Sequence, residues 1–157
     1  MSETDTKARS NSLYEKDFFT WTQEQARLLR ERRFDDLDLD NLIDEVASVG
    51  SSEEHEIRRR LKVLLAHLLK WKFQPRFRGI SWRRTIRQQR ESIAEIIEAS
   101  PSLRTYPSQV MRTAYTGATV SASEETGLAI GIFSEECPFS VDQALDLEFF
   151  PEDPANE

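Results

Sequence analysis

Apolar residues recur every three or four positions between Ile57 and Trp71, the spacing that places them on one face of an α-helix. The face comprises Ile57, Leu61, Leu64, Leu68 and Trp71, widened by Leu65 and Leu69. Pro75 ends the pattern, because the residue before a proline avoids helical geometry. A stripe this long and this apolar is unfavourable in water, so either other elements of the chain or a second copy of it must pack against the stripe.

Shorter stripes of the same kind predict the elements that cover this helix. Helices are expected over residues 12–33, 38–50, 51–74, 82–99 and 108–125, with a short last one over 141–150. Only five glycines and six prolines are present, too few for the many tight turns of a β fold. The sequence therefore predicts an all-α fold, a single-domain helical bundle of about four main helices plus short ones.

Local signals predict where some of these helices begin and end. Ser51 and Glu54 have the spacing of a capping box, and so do Ser140 and Gln143. Gly50 lies directly before the first pair and is interpreted as a left-handed helix stop. The helix that precedes Gly50 is expected to bury one apolar face. That face comprises Leu39, Leu42, Ile43, Val46 and Val49.

The ends of the chain are polar. Residues 1–12 are predicted to be a disordered leader, 13–150 the helical-bundle domain and 151–157 a disordered acidic tail. No apolar run approaches the roughly 20 residues of a membrane span, so no membrane association is expected. Cys137 is the only cysteine, which leaves no partner for an internal disulfide. These features favour a cytoplasmic protein.

Charge is strongly segregated along a chain whose net charge is −7. Asp35 to Glu56 holds nine acidic residues and no Lys or Arg, whereas Arg58 to Arg90 holds twelve basic residues and no acid. Ten more acids and no base follow from Glu124 onward. Two interpretations stay open: the acidic segments neutralise the basic stretch within the chain, which we favour, or the basic stretch is an external surface for anions.

Several motifs are similar to those of one bacterial family, in the same order and spacing. They are "YEKDFFTW", "DLDNLIDEVASVG", "LLAHLLKWKFQP", "SWRRTIRQQR", "SPSL", "EETGL" and "FSEECPFS". The chain resembles the domain-of-unknown-function family twenty-nine over roughly Tyr14 to Glu152. The resemblance implies an all-α bundle. It implies no activity and no catalytic residues that could be carried over.

The basic stretch supplies most of the candidate binding residues. Arg83, Arg87 and Arg90 follow one another at i, i+4 and i+7, so they line one face of a helix. Arginines interleaved with aromatic rings are typical of surfaces that bind phosphates or single strands. The candidates from this region and from the acidic second helix are Asn41, Glu45, His67, Lys70, Trp71, Arg78, Trp82, Arg83, Arg87 and Arg90.

Catalysis and metal binding have little support in the sequence. Glu45 and His67 could form an acid–base pair, although most pairs of this kind are structural. His55 lies about 18 Å from His67 along a helix, too far to share a metal ion. No phosphate-binding glycine loop or nucleophile elbow is present, and we expect no metal and no cofactor.

Three functional hypotheses follow. The preferred one is a non-catalytic protein-interaction module with an unidentified protein partner, or with a second copy of the chain through self-association. The first alternative is a nucleic-acid-binding protein that uses residues 76–90. The second alternative is an enzyme with a site formed by Glu45 and His67.

Overall fold

The computed structural model of the chain describes residues 2–153, with only the backbone described for Glu3 and Lys7. These residues form α-helices and short 3₁₀ turns and no strand. The helices are α1 (Glu3–Lys16), α2 (Phe18–Arg30), α3 (Leu39–Phe73), α4 (Ile80–Ala99), α5 (Tyr106–Thr126) and α6 (Val141–Leu145). The 3₁₀ turns are Phe34–Asp36, Pro75–Phe77, Pro101–Thr105 and Ile130–Ile132. The prediction of an all-α fold is confirmed.

The chain divides into two compact units, Met1–Ser52 and Glu53–Glu157. Unit 1 contains α1, α2 and the first turns of α3. Unit 2 contains the remainder of α3 together with α4, α5 and α6. Among residues 2–153, no helix combines the length and the apolarity that crossing a membrane requires.

A buried carboxylate organises unit 1. Asp38 lies directly before α3, and its carboxylate accepts hydrogen bonds from Trp21 Nε1 at 2.9 Å and from Asn41 Nδ2 at 2.8 Å. The Asp38 backbone N–H donates to Gln25 Oε1 at 2.8 Å. With its amide nitrogen turned toward Asp38, Asn11 adds a further bond of 2.7 Å. These bonds satisfy a charge that burial would otherwise make costly.

The single helix predicted over residues 12–33 is interrupted at Asp17, so that prediction is wrong. Asp17 ends α1 and also caps α2, because its carboxylate accepts hydrogen bonds from the backbone N–H of Thr20 at 3.0 Å and from the Thr20 hydroxyl at 2.6 Å. Most of the residues assigned to the leader lie in α1, which begins at Glu3 and is capped by Ser2. Met1 and residues 154–157, part of the predicted leader and tail, lie outside the described residues.

The two helices predicted on either side of Gly50 form one continuous helix, α3. Gly50 does not have the positive φ that a left-handed stop requires. Ser51 also does not cap a helix, because its hydroxyl donates to the carbonyl of Ala47 at 3.2 Å within α3. The prediction of a helix boundary at Gly50 is therefore wrong.

The core of unit 2 is built on the apolar face of α3 that its sequence spacing indicates. Its fully buried side chains from α3 are Ile57, Leu61, Leu64, Leu65, Leu68 and Leu69. They belong to one cluster with Ile86 and Ile93 of α4 and with the small residues Ala114, Ala118 and Ala122 of α5. The predicted capping box that opens α6, Ser140 with Gln143, is confirmed.

Substitution of Gly50 by alanine should stabilise the protein. The position is inside a helix, and a Cβ built there meets nothing within 4 Å. We expect Gly50→Ala to raise the free energy of unfolding by about 0.5–1 kcal/mol, measured by urea denaturation. Gly127→Ala is the matched contrast and should lower it by about 1 kcal/mol, because Gly127 ends α5 with φ +75°. A loss of stability in Gly50→Ala would contradict a continuous α3.

Candidate functional site

Trp71 in unit 2 is covered by arginines and by a second aromatic ring. Its ring centroid lies 4.7 Å from that of Phe150. The guanidinium of Arg83 lies 4.8 Å from the Trp71 ring and 5.1 Å from the Phe150 ring. Arg78 stands over the Trp71 ring at 5.1 Å, donates from Nε to the Trp71 carbonyl at 2.7 Å and pairs with Asp153 at 2.5 Å. Trp71 is therefore packed and not open to stacking by a nucleic-acid base.

Arg90 is buried, unlike the other two arginines that share its predicted helix face. Arg83 and Arg87 are exposed, whereas Arg90 is 2% exposed. Its Nε donates to the carbonyl of Ala144 at 2.7 Å and its Nη2 to the carbonyl of Phe149 at 2.8 Å. Its Nη1 is buried without a partner in the part of the chain that the structure describes. Burial lowers the pKa of Arg90, and an unsatisfied buried donor costs about 1–3 kcal/mol.

A cavity of about 270 Å³ lies beside these arginines, between α4 and the segment that follows α6. We call it the arginine cavity, and it is lined by Arg83, Ile86, Arg87, Arg90, Leu147, Glu148 and Phe150. Arg87 is already paired with Glu91 at 2.8 Å. Within residues 2–153, by contrast, no carboxylate or carbonyl accepts a hydrogen bond from the guanidinium of Arg83, whose backbone N–H donates to the Gly79 carbonyl. The cavity thus holds hydrogen-bond donors that have no acceptor.

Lys70 and His67 lie near one another on α3, and each has a structural partner. Lys70 is largely buried, pairs with Glu125 at 2.6 Å and lies 5.3 Å from the ring of Trp82. The Nδ1 atom of His67 is 2.9 Å from the carbonyl of Val63, so a neutral ring donates there. Burial lowers the pKa of His67, and the charge of Lys70 lowers it further. Both side chains therefore serve the packing of unit 2.

The candidates in unit 1 are also engaged. Asn41 donates to Asp38, and Glu45 accepts a hydrogen bond of 2.6 Å from the hydroxyl of Tyr14. That bond raises the pKa of Tyr14. Glu45 and His67 were paired in the enzyme hypothesis; the structure gives Tyr14 as the partner of Glu45 and the backbone of Val63 as the partner of His67.

The first turns of α3 carry an apolar surface that is open to solvent. We call it the α3 stripe, and its exposed fractions are 57% for Leu39, 56% for Ile43, 71% for Val46 and 71% for Val49. The interpretation of these residues as a buried face is wrong. At 100° per residue, Asn41 and Glu45 define the side of α3 that contacts the rest of unit 1, and the stripe lies about 130° away from that side.

Sequence reasoning missed three contributors to these sites: Asp38, Glu148 and Phe150. Asp38 carried a local signal, since it stands at an N-cap position before α3. The other two had no signal, because Phe150 and Glu148 meet α4 across about 60 residues of chain.

The model of a family described as a domain of unknown function, DUF29, matches residues 13–150. The chain belongs to the DUF29 family. The resemblance inferred from its motifs is thereby confirmed. The comparison with curated proteins finds no match, and neither does the comparison with solved structures. DUF29 membership therefore supplies no activity to assign to these residues, and function must be argued from their geometry.

His67 should make stability depend on pH. Its pKa in the folded protein lies below the usual value of about 6.5, so the unfolded chain binds a proton that the folded chain does not. Stability from this residue is present above the unfolded pKa and is lost as pH falls below it. We expect the drop in Tm from about pH 7.5 to about pH 5 to be smaller in His67→Gln than in the unsubstituted chain.

The other histidine provides the control. His55 is exposed, and His55→Gln should show the full drop in Tm. An equal drop in His67→Gln and in the unsubstituted chain would contradict a buried neutral His67.

Arg90 should contribute more to stability than any exposed arginine of α4. Arg90→Met leaves the carbonyls of Ala144 and Phe149 without their donor, so the free energy of unfolding should fall by about 2–4 kcal/mol. Arg84, which is exposed, is the matched control, and Arg84→Met should change the free energy of unfolding by less than about 0.5 kcal/mol. Urea denaturation measures both; equal effects would mean that the Arg90 bonds contribute nothing.

Proposed function

We propose that this DUF29 protein is a non-catalytic binding module whose α3 stripe docks an amphipathic helix of a partner protein. The observation that carries the proposal is the exposure of four large apolar residues, Leu39, Ile43, Val46 and Val49, on consecutive turns of one helix. Single exposed apolar residues are ordinary, whereas a contiguous apolar surface indicates an interaction site. From Leu39 to Gly50 the stripe is about 18 Å long, which suits a short helix lying along it.

The charge beside the α3 stripe indicates what the partner helix carries. Asp40 flanks the stripe, about 60° around α3 from Ile43, whereas Asp44 lies about 100° from Ile43 and faces away from the stripe. Asp40 is exposed, and within residues 2–153 its carboxylate forms no ion pair. An apolar helix face flanked by lysines or arginines would complement this surface in both hydrophobicity and charge.

Gly50 supports the same occupant. Glycine inside a helix costs about 1 kcal/mol relative to alanine, and no neighbour among residues 2–153 requires a missing side chain there. Gly50 lies within the α3 stripe, so the absence of a Cβ leaves room for a close approach of a partner backbone.

Self-association through this surface has less support. A second copy that paired its own α3 stripe with this one would bring the Asp40 carboxylates of both chains near the contact, and like charges across an interface oppose binding. The hydrophobic residues favour association with a helix, and the acidic border favours a basic one.

Nucleic-acid binding by residues 76–90 also has less support than protein binding. Arg78 and Arg87 are already paired with carboxylates of this chain, and the ring of Trp71 is covered. The pairs Arg78–Asp153 and Lys70–Glu125 agree with the interpretation that the C-terminal acids neutralise part of the basic stretch.

A cytoplasmic setting is part of the proposal. Cys137 is a free, half-buried thiol, and burial raises its pKa. A thiol of this kind is a poor nucleophile and suits a structural role in a reducing compartment.

The proposal predicts that a photo-cross-linking amino acid at position 46 captures a partner protein through a basic amphipathic segment. The cross-linker would be introduced in the cells that make the protein, and the joined peptides would be identified by mass spectrometry. Asp substitution at Ile43 or Val46 should remove binding to the identified segment at least tenfold, because a charge would enter the apolar contact. Fluorescence anisotropy with that segment as a labelled peptide measures the loss.

Val120 on α5 provides the control, because it is also an exposed valine and lies outside the α3 stripe. A cross-linker at position 120 should not capture the same peptide. Cross-links from position 46 to a second copy of this chain would replace the proposal with self-association, and the absence of any cross-link would refute it.

A further inference from the structure

We infer that the arginine cavity of unit 2 binds a small phosphate monoester, with Arg83 and Arg90 donating hydrogen bonds to the phosphate oxygens. This site is distinct from the α3 stripe, and the inference does not depend on the proposed function.

Arg83 is held in the manner that leaves a guanidinium ready for an oxyanion. The Trp71 and Phe150 rings contact it at 4.8 and 5.1 Å, and ring contacts of this kind engage the face of the planar group. The N–H donors of a guanidinium lie at its edge, in its plane. In the part of the chain that the structure describes, nothing accepts a hydrogen bond from them. The two rings therefore fix the group and leave its hydrogen-bonding edge unused.

Arg90 supplies a second, independent donor. Its Nε and Nη2 are used by the backbone carbonyls of Ala144 and Phe149, which fix the guanidinium at the wall of the cavity. Its Nη1 is buried and has no partner among residues 2–153. An unpaired donor on a buried cation is unfavourable, and because this atom has no contact with solvent, an oxygen of a bound anion would satisfy it after the guanidinium shifts toward the cavity.

The remaining lining determines the class of ligand. Ile86, Leu147 and Phe150 offer apolar surface beside the two donors, and a volume of about 270 Å³ admits only a small molecule. Arginine binds phosphate well because its planar fork matches two oxygens of the group. A nucleic-acid polymer fits less well, since Glu148 also lines the cavity and Asp146 lies close enough to influence Arg90.

The test is isothermal titration calorimetry of the full chain with phenyl phosphate and with inorganic phosphate at low salt. Phenyl phosphate should bind more tightly than inorganic phosphate, because its ring contacts the apolar lining. Arg83→Gln should weaken the binding of phenyl phosphate tenfold or more, and Glu148→Gln should tighten it severalfold by removing a like charge. Arg83 is exposed, so its substitution should leave the fold intact, and a Tm measurement checks this.

Two variants test where the ligand lies. Arg84→Gln alters an exposed arginine beside Arg83 that does not line the cavity. Arg104→Gln alters a second cavity, which Arg90 also borders, without touching the first. Both should leave affinity within about twofold. A loss in Arg84→Gln equal to that in Arg83→Gln would mean non-specific attraction, and a loss in Arg104→Gln would move the ligand to the other cavity.

A spectroscopic measurement provides a readout that needs no variant. The side-chain Nε–H signal of Arg90 in a ¹H–¹⁵N spectrum should shift on addition of phenyl phosphate, because a new acceptor changes the charge distribution of the guanidinium.

The inference is refuted if neither the unsubstituted chain nor Glu148→Gln binds either phosphate at about 10 mM. It is also refuted if benzoate binds as tightly as phenyl phosphate, since the site would then recognise a carboxylate.

Discussion

The buried guanidinium of Arg90 is the interaction on which the C-terminal half of unit 2 depends. Removing an arginine from water is unfavourable unless its donors find acceptors, and here those acceptors are the carbonyls of Ala144 and Phe149. This requirement holds the segment after α6 against α4, and it thereby brings Phe150 onto Trp71. Lysine could not substitute for it, because one ammonium group cannot reach separated carbonyls as a planar fork does. The arginine cavity exists because this segment is held in place.

Apolar spacing was sufficient to predict the helical fold and the face of α3 that unit 2 buries. It did not predict that α3 continues through Gly50 and Ser51, because these residues carry a stop and a start signal that the backbone does not use. A glycine ends a helix only if its φ becomes positive, and the surrounding contacts decide that. The break at Asp17 was missed for the opposite reason, because nothing in the sequence signals a stop there. An aspartate at this position is compatible with a long amphipathic pattern. It interrupts the helix only because its carboxylate accepts hydrogen bonds from Thr20.

The candidate sites were predicted less completely than the fold. Helical spacing placed Arg83, Arg87 and Arg90 on one face, but it could not show that Arg90 is buried, because its acceptors lie 54 and 59 residues further along the chain. The α3 stripe was recognised as apolar and assigned to the core. Periodicity identifies an apolar face and says nothing about what covers it, so the exposure of Val46 could be learned only from the structure.

The arginine cavity and the α3 stripe differ in which of their charged groups are unpaired, and this difference determines the kind of ligand that each can accept. Around Trp71 the cations are largely used internally and the arginine cavity is small, so that region suits a small anion better than an extended polymer. On α3 the opposite holds: Asp40 is unpaired within the described residues, and the apolar stripe beside it is open over three turns. Surface ion pairs contribute only about 0–1 kcal/mol each, so such acids add little to folding. An acid beside an exposed apolar stripe instead affects binding, since charge at the border of an interface selects the partner and its orientation.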